Sequence, residues 1–420
     1  MERSRPLRRL VVASLMLAVL LAPQASVSAA DRDPLREGEA GSGPPAWSVP
    51  VTAARTSTEV LWSDVPDEHW ARRAIDLVAG TNDWMRDFKP NPDGTYPFRP
   101  DRLETRRLFA RAVVRAFLPD AEPDPELTFP DLVTGSGAWR YANLAVSSGW
   151  LRTAPDGSFL PRDPVLMRDV HRALVLALGY GDLAAGARAI HERDGTRIPV
   201  PRDFGTTLLG MKMGLRYNHG DESLDVPGPA APLSRAETAW SLYRAATMPS
   251  WMPDWLAPYA DLELPNLGPR MERVVRFAVR YVGYPYVWGG EWHQPSPPGY
   301  CCGYQPIGGF DCSGVTWWVM KRPVSGWDNV PPRDYFGWDL LQRTSALMAS
   351  AGERVRWDEL RPGDLMFYDG DGDGTVDHVN TYLGNGWAID SGSSNAGVTI
   401  TYVAGNWYQD HFVKGRRILD

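Results

Sequence analysis

The sequence predicts a multidomain chain in which an all-α array of helical repeats precedes an α+β domain built on an antiparallel sheet. Three observations carry this expectation. The chain has 420 residues, more than one hydrophobic core usually organises. A pattern of Trp, Asp-Gly turn, Phe-x-Pro and helix start recurs between about residues 61 and 247. Beyond a proline-dense stretch the pattern changes to an amphipathic helix, a cysteine-headed apolar run and short strand-like segments.

The first segment, residues 1–30, places Arg3, Arg5, Arg8 and Arg9 before an apolar run at 10–22 and ends in Ser28-Ala29-Ala30. Basic, apolar and small segments in that order predict a secretory signal peptide. The run is too short to span a bilayer with ease and no second one follows, so an exported, soluble product is expected. Its removal takes the formal charge from −7 to −10. So acidic a protein is a poor nucleic-acid binder. Residues 31–58 are rich in Pro, Gly, Ser and charge and read as a flexible lead.

Copy one, residues 61–120, contains Leu61-Trp62-Ser63-Asp64-Val65-Pro66, His69-Trp70, Asp93-Gly94 and Phe98-Arg99-Pro100 before a helix at about 105–118. Copy two, residues 128–180, repeats this as Phe129-Pro130-Asp131-Leu132, Trp139, Pro155-Asp156-Gly157 and Phe159-Leu160-Pro161, with a helix at about 168–178. Copy three, residues 198–248, keeps Pro232-Leu233-Ser234-Arg235-Ala236-Glu237 and a helix ending near Thr247. Gly permits the turn, Pro prevents helix continuation, and Thr or Ser caps the next helix.

These copies resemble S-layer homology repeats. The resemblance implies a helical prism whose grooves bind secondary cell-wall polysaccharide, with Arg106, Arg168 and Arg235 facing the acidic sugar. The motif is worn to Thr105-Arg106-Arg107-Leu108 and Met167-Arg168-Asp169-Val170 in the first two copies. The plainer alternative is that these arginines follow helix caps on a solvated face.

Residues 249–270 hold Pro249, Pro253, Pro258, Pro265 and Pro269, a density expected to forbid a regular helix and give a semi-rigid linker. A second domain, 271–420, starts with Val274, Val275, Ala278, Val279 and Val282 on one helical face.

All three cysteines, Cys301, Cys302 and Cys312, lie within twelve positions. An odd count in an exported protein suggests a free reactive thiol, and no paired His or Cys spacing elsewhere suggests zinc. The apolar run after Cys312 predicts a buried helix starting at the thiol, where the positive end of the dipole favours thiolate. Cysteine catalysis also needs an imidazole. His378 opens a β-type run that ends at Gly384-Asn385-Gly386, and the returning strand carries Asp390. A tight hairpin would set Asp390 beside His378, where a carboxylate orients the ring. Helix cysteine, strand histidine and strand aspartate form a papain-like triad in its usual chain order. Of the other six histidines, His69 belongs to the repeat entry and His171, His191, His219, His293 and His411 lack a surrounding motif.

Tyr286-Val287-Trp288-Gly289-Gly290, Asp311-Cys312-Ser313-Gly314, Leu360-Arg361-Pro362-Gly363-Asp364-Leu365 and His378-Val379 with its Tyr and Gly-x-Gly continuation closely resemble the NlpC/p-sixty peptidases. The likeness covers about residues 271–418 and implies cleavage of peptidoglycan stem peptides, commonly the γ-D-glutamyl to diamino acid bond. It makes Cys312 the nucleophile and His378 the general base, lends the Tyr286 hydroxyl to the oxyanion, and puts Asp311, Ser313 and Trp288 at the substrate. The third polar position is more often His in the family. The stretch from Glu291 to Gly308 is longer than usual and is expected to border the cleft.

Adjacent Cys301 and Cys302 either close a strained disulfide ring or remain two loop thiols. A disulfide from either to Cys312 would abolish activity. Asp369, Asp371, Asp373, Thr375 and Asp377 follow the first nine positions of an EF-hand-type calcium loop, but Asn380 replaces the bidentate Glu. The alternative there is a polar hairpin loop. No cofactor is expected for the chemistry itself.

The expectation is a secreted cell-wall cysteine hydrolase acting on peptidoglycan stem peptides and held by its repeats. The rivals are an amidase or acyltransferase with the same pair, and a non-catalytic wall-binding component.

Overall fold

The computed structural model describes residues 60–295, 305, 307–320, 340 and 342–418. The signal peptide, the flexible lead and the Cys301–Cys302 pair lie outside the described residues. The first half is helical. Helix α1 (Arg72–Ile75) runs into a π-helical turn, Asp76–Thr81, and is followed by α2 (Arg106–Phe117), α3 (Gly137–Ser147) and α4 (Met167–Ala177). Then come α5 (Gly181–Arg188), α6 (Phe204–Lys212) and α7 (Arg235–Ala246). Side-chain oxygens of Thr105, Ser136 and Ser234 accept the third-residue amides of α2, α3 and α7 at 3.4, 3.2 and 3.1 Å, which satisfies donors left over at each helix start.

The three segments leading into α2, α4 and α7 close on one another in a ring. Glu104 N–H donates to Leu233 O (2.9 Å), Leu233 N–H to Val165 O (3.0 Å) and Val165 N–H to Glu104 O (2.8 Å). The aspartates that open copies one and two have matching tasks. Asp64 accepts the amides of Phe98 and Arg99 at 2.7 and 2.8 Å, and Asp131 those of Phe159 and Leu160 at 2.9 and 2.8 Å. Each carboxylate thereby holds a residue at positive φ, Arg99 at 63° and Leu160 at 58°.

The proline-rich stretch is not the linker expected from its composition. Pro253 lies in the first turn of α8 (Met252–Leu256), where a missing N–H is harmless. A 3-10 turn, Ala257–Ala260, follows, and the two-residue strands β1 (His191–Glu192) and β2 (Glu263–Leu264) pair in parallel. Tyr259 is buried and donates to Ile400 O at 2.9 Å. The stretch therefore ties the two halves together through one continuous apolar core.

The second half starts with α9 (Pro269–Ala278). Strands β3 (Glu291–Trp292) and β4 (Gly309–Phe310) form a ribbon ahead of α10 (Cys312–Met320). After α11 (Ser345–Met348) come β5 (Glu353–Val355), β6 (Leu365–Tyr368), β7 (His378–Gly384), β8 (Trp387–Gly392), β9 (Gly397–Tyr402), α12 (Trp407–Asp410) and β10 (Phe412–Arg417). The sheet is antiparallel in the order β5-β10-β6-β7-β8-β9, and α10 packs across β7 and β8.

Candidate active site

Cys312 stands at the first position of α10, a helix that is buried throughout. Its turn is built by neighbours. Asp311 Oδ1 accepts the Gly314 amide and caps the helix, and Ser313 Oγ donates to the same oxygen at 3.0 Å. Asp311 Oδ2 accepts the Gly289 amide at 3.0 Å, which fastens the Trp-Gly-Gly loop to the nucleophile turn. A Cβ on Gly314 would lie 1.9 Å from Gly290 O, so this approach requires glycine.

Arg343 locks the same turn. Its guanidinium donates to Asp311 Oδ1 (3.1 Å), Ser313 Oγ (2.8 Å), Glu291 Oε2 (2.7 Å) and the carbonyls of Gly289 and Gly290 (3.0 Å each). Asp311 and Ser313 thus lie beside Cys312 with their polar atoms committed to this network. No motif surrounds Arg343 in the sequence, and its role was not legible there.

His378 opens β7 and Asp390 sits in β8. The pairing of Thr381 with Ile389 puts Asp390 opposite Asn380 and diagonal to His378 on one face. Asp390 Oδ1 lies 2.8 Å from His378 Nε2, with both residues wholly buried. That leaves Nδ1 for the Cys312 thiol, whose interaction with the imidazole favours the charged ring. Burial opposes charge on His378, but the ion pair and hydrogen bond with Asp390 outweigh it and raise the imidazole pKa well above its ordinary value. Burial likewise opposes ionisation of Asp390, yet His378 holds its carboxyl below the usual range. Tyr408 OH, which sequence reasoning also missed, donates to Asp390 Oδ2 at 2.8 Å.

Tyr286 is buried between Pro285, whose carbonyl accepts Phe310 N–H at 3.0 Å, and Val287, whose N–H donates to Phe310 O at 3.3 Å, two residues ahead of the nucleophile. Trp288 is 70% exposed, and its amide donates to Glu222 Oε1 of the helical half at 2.7 Å.

In the aspartate loop, Asp369, Asp371 and Asp373 bring carboxylate oxygens within 4.8 Å of one another. Their oxygens already accept amides of the same loop: Gly372 and Gly374 on Asp369, Asp373 on Asp371, and Thr375 on Asp373. Asp377 stands outside the trio and accepts Gly370 N–H at 3.0 Å.

Of the three arginines expected to face a polymer, one is turned wholly inward and a second is half committed to backbone carbonyls. Arg235 is wholly buried, paired with Glu104 (2.6 Å) and Asp87 (2.9 Å) and donating to Phe98 O and Met85 O. It presents nothing to a solvent-borne sugar, which corrects the expectation for that residue. Arg106 donates to Phe159 O (2.8 Å) and Arg152 O (2.6 Å), again bracing the ring between copies. Arg168 lines a groove between the halves with Arg106, Arg152, Arg202 and Arg280. None of the described helices is long and apolar enough to cross a membrane.

A helix-borne thiol, a strand imidazole and a carboxylate behind it define a cysteine peptidase. Residues 283–417 match the NlpC/P60 family. The chain is 30% identical over 266 residues to "Peptidoglycan endopeptidase RipB" of Mycobacterium tuberculosis, covering 63% of this chain and 89% of that protein. It is 32% identical over 143 residues to "Murein DD-endopeptidase MepH" of Escherichia coli, with 34% of this chain and 43% of that one covered. With "Bifunctional muramidase/DL-endopeptidase CwlT" of Bacillus subtilis it shares 30% over 149 residues, 35% of this chain and 36% of that one. The chain belongs to the NlpC/P60 family.

Proposed function

We propose that this cysteine peptidase hydrolyses peptidoglycan stem peptides outside the cell, at a γ-D-glutamyl to diamino acid bond. The Cys312–His378–Asp390 arrangement is the observation that carries the reading. His378 Nδ1 takes the Cys312 proton and the thiolate adds to the scissile carbonyl, with the Tyr286 hydroxyl near the developing oxyanion. His378 returns the proton to the leaving amine as the C–N bond breaks, leaving a thioester on Cys312. Water, deprotonated by His378, then attacks the thioester, releasing the carboxylate and restoring the thiol. Asp390 holds the ring's far nitrogen throughout and does not itself take up the proton.

The test is digestion of defined muropeptides followed by mass analysis. Stem-peptide cleavage by the wild-type chain, lost in Cys312→Ala, is expected. Intact muropeptides under both reducing and non-reducing conditions would exclude the hydrolase. Retention at the wall is assigned to the groove where Arg106, Arg152, Arg168, Arg202 and Arg280 outnumber Asp163, Asp169 and Asp203, a positive balance that suits an anionic wall polysaccharide.

A further inference from the structure

The catalytic carboxylate has a second side, and the helical half reaches it. Asp390 Oδ2 faces Asn395 Nδ2 at 3.5 Å as well as Tyr408 OH. The amide oxygen of Asn395 in turn accepts from Lys212 Nζ at 3.0 Å, and the same ammonium donates to Thr401 Oγ1 at 3.1 Å. Lys212 ends α6, 183 positions from Asn395 in the chain, and is 3% exposed. The Trp255 ring closes the remaining side, 5.6 Å from Nζ.

Burying a lysine is unfavourable, and here it pulls the ammonium pKa down to about 8, with attraction to Asp390 as the opposing cause. An apolar side chain would fill a core position at the end of α6 with less penalty. What the ammonium supplies is direction. An amide side chain can be turned either way, and only one way serves the triad. Because Lys212 can only donate, Asn395 must present its oxygen to Lys212 and therefore its NH2 to Asp390. The reverse orientation would set a carbonyl oxygen against the carboxylate.

We propose that Lys212 is a positioning residue for the triad: acting through Asn395, it fixes Asp390 behind His378, so that the helical half completes the catalytic site. The proposal rests on the triad reading given above.

The test uses the full chain as wild type, Lys212→Met, Asn395→Ala and the double variant. Four quantities are read: kcat and KM on a defined soluble stem peptide, the rate of Cys312 alkylation by iodoacetamide followed by peptide mass, and Tm. In Lys212→Met, kcat is expected to fall about tenfold with KM within about twofold, the effect of losing one well-placed interaction. Tm should hold or rise, because methionine replaces a desolvated charge. Alkylation should slow in parallel, and Asn395→Ala should match Lys212→Met, with the double variant no worse than either single one. An unchanged kcat and alkylation rate in Lys212→Met, strictly multiplicative losses in the double variant, or a kcat loss that comes with a lowered Tm would each overturn it. A wild-type chain that alkylates at Cys312 but turns over no stem peptide would overturn the substrate assignment instead, and the alkylation arm would still decide the role of Lys212.

Discussion

At the scale of single residues, the site depends on opposed shifts in one buried pair. The imidazole pKa of His378 is raised above its ordinary range while that of the Asp390 carboxyl is lowered below its own. The sign for stability follows from each direction. The contribution of His378 is fully present below its unfolded pKa of about 6.5 and is lost as pH rises through the higher folded value. That of Asp390 is present above its unfolded pKa of about 3.9 and is lost on acidification through the lower folded value. Asp390→Asn removes the main attraction on the imidazolium, so the His378 pKa should drop. NMR titration of the ring should show this, and the alkaline limb of kcat should move to lower pH with kcat reduced by at least about tenfold. A ring titrating as in wild type would mean that Asp390 does not set its charge.

At the scale of elements, Arg235 separates motif from role. Its guanidinium sits between Glu104 and Asp87 with no solvent contact, so Arg235→Ala leaves Glu104 buried without its cation and Asp87 with Arg111 alone. A destabilisation of about 3–5 kcal/mol is expected, measurable by chemical denaturation. Arg168→Ala should leave stability within about 0.5 kcal/mol and weaken retention on purified wall sacculi. Equal stability for the two variants would contradict the buried assignment. The caps at Thr105 and Ser234 were legible in the sequence because capping chemistry is local. The direction of the next residue was not, because a helix-start side chain points back towards whatever the tertiary structure packs there, here the ring of loops. The His378–Asp390 hairpin was legible for the same local reason: Gly384-Asn385-Gly386 takes positive φ at each position (100°, 51° and 82°), which fixes the turn and the register. Arg343 and Lys212 were not, since each reaches the site from a distant part of the chain with no neighbouring pattern. The prolines of 249–270 misled because their number was weighed rather than their positions, and Pro253 occupies a helix start.

At the scale of the whole molecule, the two halves meet along the segment from Gly283 to the Trp-Gly-Gly loop, and Gly283 is a point of close fit. It adopts φ 92° and its N–H donates to Val398 O at 2.9 Å. A Cβ there would lie 2.7 Å from both Thr207 Cγ2 and Pro229 Cγ of the helical half. Gly405 provides the comparison, because it has φ 69° with open space around the same added atom. Both substitutions to alanine carry the conformational penalty of a left-handed backbone, about 1–2 kcal/mol. Only Gly283→Ala adds a clash between the halves, so its loss of stability should exceed that of Gly405→Ala by about 1–3 kcal/mol. Its kcat should also fall, because Trp288 is held by Glu222 five residues on and Lys212 approaches Asp390 from the same half. Denaturation midpoints and kcat for the pair decide the matter. If the two variants lose the same stability and Gly283→Ala keeps its kcat, the halves pack loosely and the helical half does not shape the Trp-Gly-Gly loop.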